Sequence, residues 1–273
     1  NIYSRWVPNE KIIKTNLWSS ELSKLASNAF LAQRISSINS ISAVCEETGA
    51  DIKQVNLAIG TDKRIGKDFL VPGPGFGGSC FEKDILNLVY LCEYYNLNEV
   101  AKYWQGVIQI NDWQKSRIAK LIVHNLFGNV SGKKITILGF AFKANTNDTR
   151  KSPAIKICKD LIEEGAYLSI YDPKVDKKTI ELDLKLKSQE KQLNLNENGS
   201  WEYFLSIEKS VKNSDAIVVL TEWKEFENIN WHKLIKLMRR PAWFFDTRSY
   251  IDCKEVQKAG FNVWEIGNLT KTK

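Results

Sequence analysis

Long apolar runs are missing from this sequence. The longest clean stretches, such as 216–220, have strand length and fall far short of the ~18–20 residues that a membrane-crossing helix needs. A soluble, cytoplasmic protein with no membrane partner is expected. Blocks of four basic residues are also missing, although 39 Lys and Arg against 32 Asp and Glu leave a net charge of +7. That excess favours anionic ligands, and its even spread argues against nucleic acid. Only two His accompany Cys45, Cys80, Cys92, Cys158 and Cys253, and no Cys-x-x-Cys pair occurs, so neither a metal site nor a disulfide framework is expected. With 6 Pro and 15 Gly, coil-only and collagen-like chains are ruled out. The first residues have neither an initiator Met nor the apolar core of a signal peptide, and read as a cut made inside a longer protein.

At about 150 residues per domain, the 273 residues suggest two domains. Residues 16–47 contain no Pro or Gly and predict one long helix, with Ser19 or Ser20 as its cap. A shorter helix is predicted over 51–59, and a third from 81 to 127 with an interruption near 96–98. Between them Gly66, Pro72, Gly73, Pro74, Gly75, Gly77 and Gly78 mark a shaped loop. The pattern then changes at 128–132, where the domain boundary is placed. Apolar runs at 135–139, 167–171, 216–220, 243–246 and 263–266 alternate with helices predicted at 153–164 and 231–238. Such alternation predicts an α/β fold with a doubly wound parallel sheet. Residues 176–200, rich in Lys, Gln and Asn, read as a surface insertion without chemistry.

Open α/β sheets bind ligands at the carboxyl ends of their strands. The first loop at such an end is too long for the tight turn of a dinucleotide site and lacks Gly-x-Gly-x-x-Gly, and that fingerprint is not expected anywhere else in the chain. The loop instead carries Phe142, Lys143 and Arg150, an aromatic and two cations suited to a nucleotide phosphate. Arg248 follows another strand on the same edge, so a diphosphate pocket is expected there. In Gly75-Phe76-Gly77-Gly78-Ser79-Cys80-Phe81-Glu82-Lys83-Asp84, glycines let a ligand approach the backbone and Cys80 falls at a helix start, where the macrodipole favours a thiolate. Asp84 lies one turn on, suited to helping water release a thioester. Lys24 and Asn28, at i and i+4, are placed to stabilise an oxyanion. A buried cysteine at a helix cap remains the alternative for Cys80. The other four cysteines read as core or neutral surface residues.

Four stretches together resemble the UDP-glucose 6-dehydrogenases, within the wider nucleotide-sugar dehydrogenases. They are Ser20 to Leu25 with Asn28-Ala29-Phe30, Gln33-Arg34-Ile35-Ser36-Ser37-Ile38-Asn39, Gly75 to Asp84, and Gly139-Phe140-Ala141-Phe142-Lys143 with Asp148-Thr149-Arg150. The resemblance covers nearly all of the chain and is closest to the animal-type enzymes. It departs at Val71-Pro72-Gly73-Pro74, which resembles the bacterial form of that loop.

The resemblance implies an all-helical central dimerisation domain over 17–130, then a Rossmann-like doubly wound parallel sheet domain for a UDP-sugar over 131–273. Residues 1–16 would be the linker from an amino-terminal NAD-binding domain that these residues do not include. It implies oxidation of UDP-glucose to UDP-glucuronate with two NAD, through a Cys80 thiohemiacetal and thioester. Lys24 and Asn28 would stabilise the oxyanion and hold the sugar, with Asp84 assisting water. Gly75, Phe76, Gly77, Phe81, Phe142, Lys143 and Arg248 would contact substrate. Arg64 would reach a neighbouring subunit's site, and Cys80, Lys83 and Arg150 would lie near NAD. A homodimer through the central helices, extending to a hexamer, is implied, as is no turnover by this chain alone. The alternatives are a dehydrogenase of GDP-mannose or UDP-N-acetylmannosamine, or a non-catalytic nucleotide-binding assembly module.

Overall fold

The computed structural model describes residues 2–188 and 199–269. Its first half is helical: α1 (Leu17–Thr48), α2 (Ile52–Gly60), α3 (Ser79–Tyr94) and α4 (Asn98–Asn125). The cap of α1 is Asn16, whose side chain accepts from Ser19 N at 2.7 Å, rather than Ser19 or Ser20 themselves. Small and polar residues of α1, among them Ala29, Ala32, Ser36, Asn39 and Ser42, are buried, which lets α3 and α4 pack close. The predicted interruption near 96–98 falls at Asn96, whose φ of 58° ends α3 and redirects the chain into α4. Ala29, Ala32, Ile85, Leu88, Val89, Val107 and Ile108 form the core of this half.

The second half is a six-stranded parallel sheet, ordered β3-β2-β1-β4-β5-β6. Its strands are β1 (Lys134–Leu138), β2 (Tyr167–Tyr171), β3 (Ser200–Tyr203), β4 (Ala216–Val219), β5 (Trp243–Asp246) and β6 (Asn262–Glu265). The order reverses beside β1, which is the strand order of a Rossmann sheet and opens a crevice at the carboxyl ends of β1 and β4. Helices α5 (Pro153–Glu163), α6 (Lys177–Leu184), α7 (Ile207–Val211), α8 (Trp231–Leu234) and α9 (Cys253–Lys258) connect the strands.

Two expectations need correction. Residues 176–200 are not a featureless insertion: α6 lies within them, capped by Asp176 and anchored by buried Ile180 and Leu184, and β3 begins at Ser200. Residues 189–198 of that segment lie outside the described residues. The helix predicted over 231–238 is α-helical only to Leu234 and then tightens into a 3-10 turn, Ile235–Leu237.

Helix α4 belongs to both halves. Its Val107 and Ile108 lie in the helical core, while its Ile118, Ala119 and Ile122 are buried, Ile118 and Ile122 in the core of the sheet half. A second tie comes from the last strand. After β6, Gly267 donates to the Glu46 carboxylate at 2.8 Å and accepts from Ile52 N at 3.1 Å. A Cβ at Gly267 would sit 2.3 Å from Ile52 Cγ2, and φ is +75°, so only glycine fits there. Arg117 of α4 pairs with Glu46 beneath this contact. Burial pushes the Glu46 carboxyl above its ordinary range, against the opposing pull of Arg117.

Candidate active site

The glycine-rich loop before α3 runs between the two halves and is stapled to both. On the helical side Gly73 N donates to Asn39 Oδ1 (2.8 Å), Gln114 Nε2 donates to Gly73 O (2.9 Å), and Phe76 N donates to Asn111 Oδ1 (2.7 Å). All three amides are buried. On the sheet side Gly78 N donates to Arg150 O at 2.8 Å, and Lys151 pairs with Glu82 at 2.9 Å. Gly77 makes this apposition possible, because a Cβ there would lie 2.7 Å from Lys151 O and 2.8 Å from Phe142 Cβ. The loop therefore joins the helical half to the β1–α5 connection immediately before Cys80.

Cys80 is exposed at the start of α3, whereas Cys45, Cys92, Cys158 and Cys253 are buried free thiols. One turn on, Asp84 is buried and accepts hydrogen bonds from the Lys24 ammonium and the Asn28 amide, both on α1. Burial alone would raise the Asp84 carboxyl. The hydrogen bonds from Lys24 and Asn28, with the charges of Lys24 and Lys83, outweigh it and hold the group below its ordinary value of 3.8. Lys24, Asn28 and Asp84 thus form one cluster on the α1–α3 contact, and Cys80 shares its helix.

A cleft of about 620 Å³ opens beside Cys80, at the carboxyl edge of the sheet. Gly75, Phe76, Gly77, Phe81, Phe142, Lys143 and Arg248 all line it, seven residues that the sequence singled out. Arg248 is held by its backbone and its fork: N to Asp246 Oδ1 (2.9 Å), Nε to Leu220 O (2.7 Å) and Nη2 to Phe142 O (3.2 Å), with Glu222 at 3.2 Å from Nε. Lys143 Nζ lies 5.5 Å from the Phe142 ring centroid, within cation–π range. Two cations in a largely apolar cleft, with Glu222 beside Arg248, suit a diphosphate carrying apolar or ring groups.

Seven predicted residues do not line the cleft: Cys80 and the cluster of Lys24, Asn28 and Asp84, and also Arg64, Lys83 and Arg150. Arg64 is exposed and paired with Asp62 at 2.6 Å; Lys83 is exposed on α3; Arg150 is exposed and paired with Asp148 at 2.7 Å. The hydrogen bond and charge of Asp148 raise the Arg150 guanidinium above its ordinary value. The sequence did not single out Asn39, Asn111 and Gln114 as loop anchors, nor Ile35, Phe69, Glu222, Ser249 and Tyr250 of the cleft wall. The position of Glu222 and Tyr250 just past strands was the available signal.

In the crevice of this sheet the carboxylate that a dinucleotide's ribose would need is engaged within the protein. The ribose-binding carboxylate expected at the end of β2 is Asp172, but it is 2 % exposed. Its oxygens accept from Phe140 N (2.7 Å), Ala141 N (3.1 Å), Lys174 N (2.8 Å), Val175 N (2.9 Å) and Trp223 Nε1 (3.1 Å). Gly73, Gly75 and Gly78 have the spacing of a dinucleotide turn, yet they follow no strand, and the amide hydrogens of Gly73 and Gly78 are used internally.

Two family models match the chain: "UDP-glucose/GDP-mannose dehydrogenase family, central domain" over residues 18–113 and "UDP-glucose/GDP-mannose dehydrogenase family, UDP binding domain" over 136–253. The chain is 50 % identical to UDP-glucose 6-dehydrogenase 2 of Arabidopsis thaliana, over 98 % of the chain and 57 % of that protein. It is 52 % identical to UDP-glucose 6-dehydrogenase of Drosophila melanogaster, over 97 % of the chain and 56 % of that protein. Among solved structures, a UDP-glucose dehydrogenase from Pyrobaculum islandicum superposes with a TM-score of 0.74 at 27 % identity, over 92 % of this chain and 51 % of that one. The chain thus spans little more than half the length of the curated relatives it matches. With both of the family's domain models matched in order over most of its length, the chain belongs to the UDP-glucose/GDP-mannose dehydrogenase family.

Proposed function

We propose that this chain carries the catalytic and substrate-binding part of a UDP-glucose 6-dehydrogenase, an NAD-dependent oxidoreductase of the cytoplasm. In this reading 17–130 is the central helical domain, 131–273 the UDP-sugar domain, and 1–16 a linker. One observation carries it: the Cys80 loop is stapled by Gly78 N to the loop whose Phe142 and Lys143 line the diphosphate cleft. A thiol is thereby set at the mouth of a nucleotide-sugar pocket.

When bound, NAD would accept the hydrides of an alcohol-to-carboxylate oxidation, and Lys83 and Arg150 offer it cationic groups beside Cys80. The chain's own residues do the rest. Lys143 and Arg248 clamp the diphosphate and fix the register of the sugar. Cys80 offers the nucleophile to the sugar's oxidised C6, while Lys24 and Asn28 donate to the oxyanion that forms. Asp84, held ionised and low, is a weak base. It orients Lys24 and Asn28 and accepts a hydrogen bond from the hydrolytic water.

Exposed side chains on the helical half, Phe30 at 60 %, Tyr90 at 63 % and Tyr94 at 67 %, support assembly through these helices as a homodimer, extending to a hexamer in which Arg64 reaches a neighbour's site. The test is calorimetric titration with UDP-glucose, GDP-mannose and UDP-N-acetylmannosamine, with Arg248→Ala as control. Preference for UDP-glucose, weakened at least tenfold in the variant, is expected, since a charged hydrogen bond is worth roughly 1.5–3 kcal/mol. Preference for another sugar nucleotide overturns the substrate assignment.

A further inference from the structure

The cleft's two ends differ in what their aromatic rings are already doing. At the Cys80 end the rings are engaged. A Cβ built on Gly78 would lie 3.3 Å from Cε2 and Cζ of Phe142, so that ring is seated against the glycine loop, with Lys143 near it. Phe76 is buried and packs edge-on against Phe81, at 5.8 Å between centroids and 84° between planes. At the β5 end stands Tyr250, half-buried in the cleft wall two residues beyond Arg248. The aromatic cluster of this half, built from Trp231, Phe244 and Phe261 and from Trp243, Phe245 and Trp264, leaves Tyr250 out.

Tyr250 is nevertheless rigid. Its N donates to Asp246 Oδ2 at 2.8 Å, the following Ile251 N donates to the same oxygen at 2.9 Å, and its hydroxyl donates to Glu227. Desolvation and that hydrogen bond push its phenol up to about 12, so it stays a neutral donor at physiological pH. The ring is fixed at its backbone and at its tip and packs against the sheet core, and it stacks on no other ring among the described residues.

The order of the sheet says which part of a ligand reaches it. Strands lie ~4.8 Å apart, so the loops after β1 and β5, separated by β4, start ~10 Å apart. Lys143 comes from the first and Arg248 from the second, which places the diphosphate between them. If the sugar points to Cys80, the nucleoside must point the other way. We propose that Tyr250 is the base platform of this site, a braced ring on which the nucleobase of a nucleoside diphosphate sugar stacks. The inference rests on the reading that Cys80 marks the sugar end. Stacking on an aromatic side chain is tolerant of base identity, so Tyr250 supplies affinity for the nucleoside and leaves the choice of base to polar neighbours.

The test is calorimetry of the chain, of Tyr250→Ala and of Tyr250→Phe with UDP-glucose, UDP and inorganic pyrophosphate. Tyr250→Ala is expected to weaken UDP and UDP-glucose about tenfold or more and to leave pyrophosphate unchanged. Tyr250→Phe, which keeps the ring, is expected to stay within about threefold of the parent. Unchanged UDP affinity in Tyr250→Ala overturns the platform, and so does an equal loss for pyrophosphate, which would report a displaced Arg248. A parent chain that binds UDP, with the Tyr250 pattern intact but no preference for UDP-glucose, leaves the platform standing and overturns the sugar assignment alone. A parent that binds neither nucleotide overturns both.

Discussion

At the scale of single residues, the cluster of Asp84, Lys24 and Asn28 shows how a carboxylate can be buried without losing its charge. Its desolvation is opposed by two donors and two nearby ammonium groups, and the balance leaves the folded-state value below 3.8. The consequence for stability has a definite sign. A carboxyl lowered by folding binds its proton less readily in the native state, so it contributes stability above about pH 4 that is lost as the pH falls through the lower native value. Asp84→Asn is therefore expected to flatten the loss of stability below about pH 4, read from urea midpoints across pH 2.5–6, and to reduce stability at pH 7. Unchanged curves would show the pair to be energetically silent. Lys24, Asn28, Cys80 and Asp84 were legible in the sequence because i, i+4 spacing and a helix start are local signals. Asn39, Asn111 and Gln114 were not: each holds a backbone group 34 to 41 positions away, and no local pattern encodes such a pairing.

Among the elements, the strands buried on both faces were the plainest to read. β1, β4 and β5 are short apolar runs because a parallel sheet covered by helices leaves no face for polar residues. β3 and α6 escaped notice for the opposite reason. Ser200–Tyr203 buries only Trp201 fully, and Lys177–Leu184 buries only Ile180 and Leu184, so neither segment is apolar enough to stand out. The elements that make the site meet where the glycine loop touches the β1–α5 connection. Gly77→Ala is expected to push these two apart, because the new methyl group would meet a backbone carbonyl at 2.7 Å that has little room to move. Overpacking of this kind costs about 1–3 kcal/mol. The displacement would also shift Phe142 and Lys143, so weaker UDP binding should accompany a lower melting temperature. A variant that melts lower yet binds UDP as the parent does would show that the staple serves stability alone.

The whole molecule is held together by shared elements more than by a broad interface. Helix α4 lies in both cores, and the turn after β6 returns to α1 and α2 through Gly267, Glu46 and Ile52. This arrangement explains how a cleft built from both halves keeps its shape: Ile35 and Phe76 come from one, Phe142 and Arg248 from the other. The pair most exposed to test is Glu46 with Arg117, whose side chains are only 8 % and 14 % exposed. Removing one partner of a buried ion pair leaves the other charge desolvated and uncompensated, at about 3–5 kcal/mol. Arg117→Ala should cost that amount in urea unfolding and, because α4 links the two cores, should lower the transition of both halves together. Labelling of Cys158, buried in the sheet core, reports one half, and labelling of Cys92, buried in the helical core, reports the other. If the two probes separate in Arg117→Ala, with only one half losing stability, the seam does not couple the halves and the cleft must owe its shape to the glycine loop.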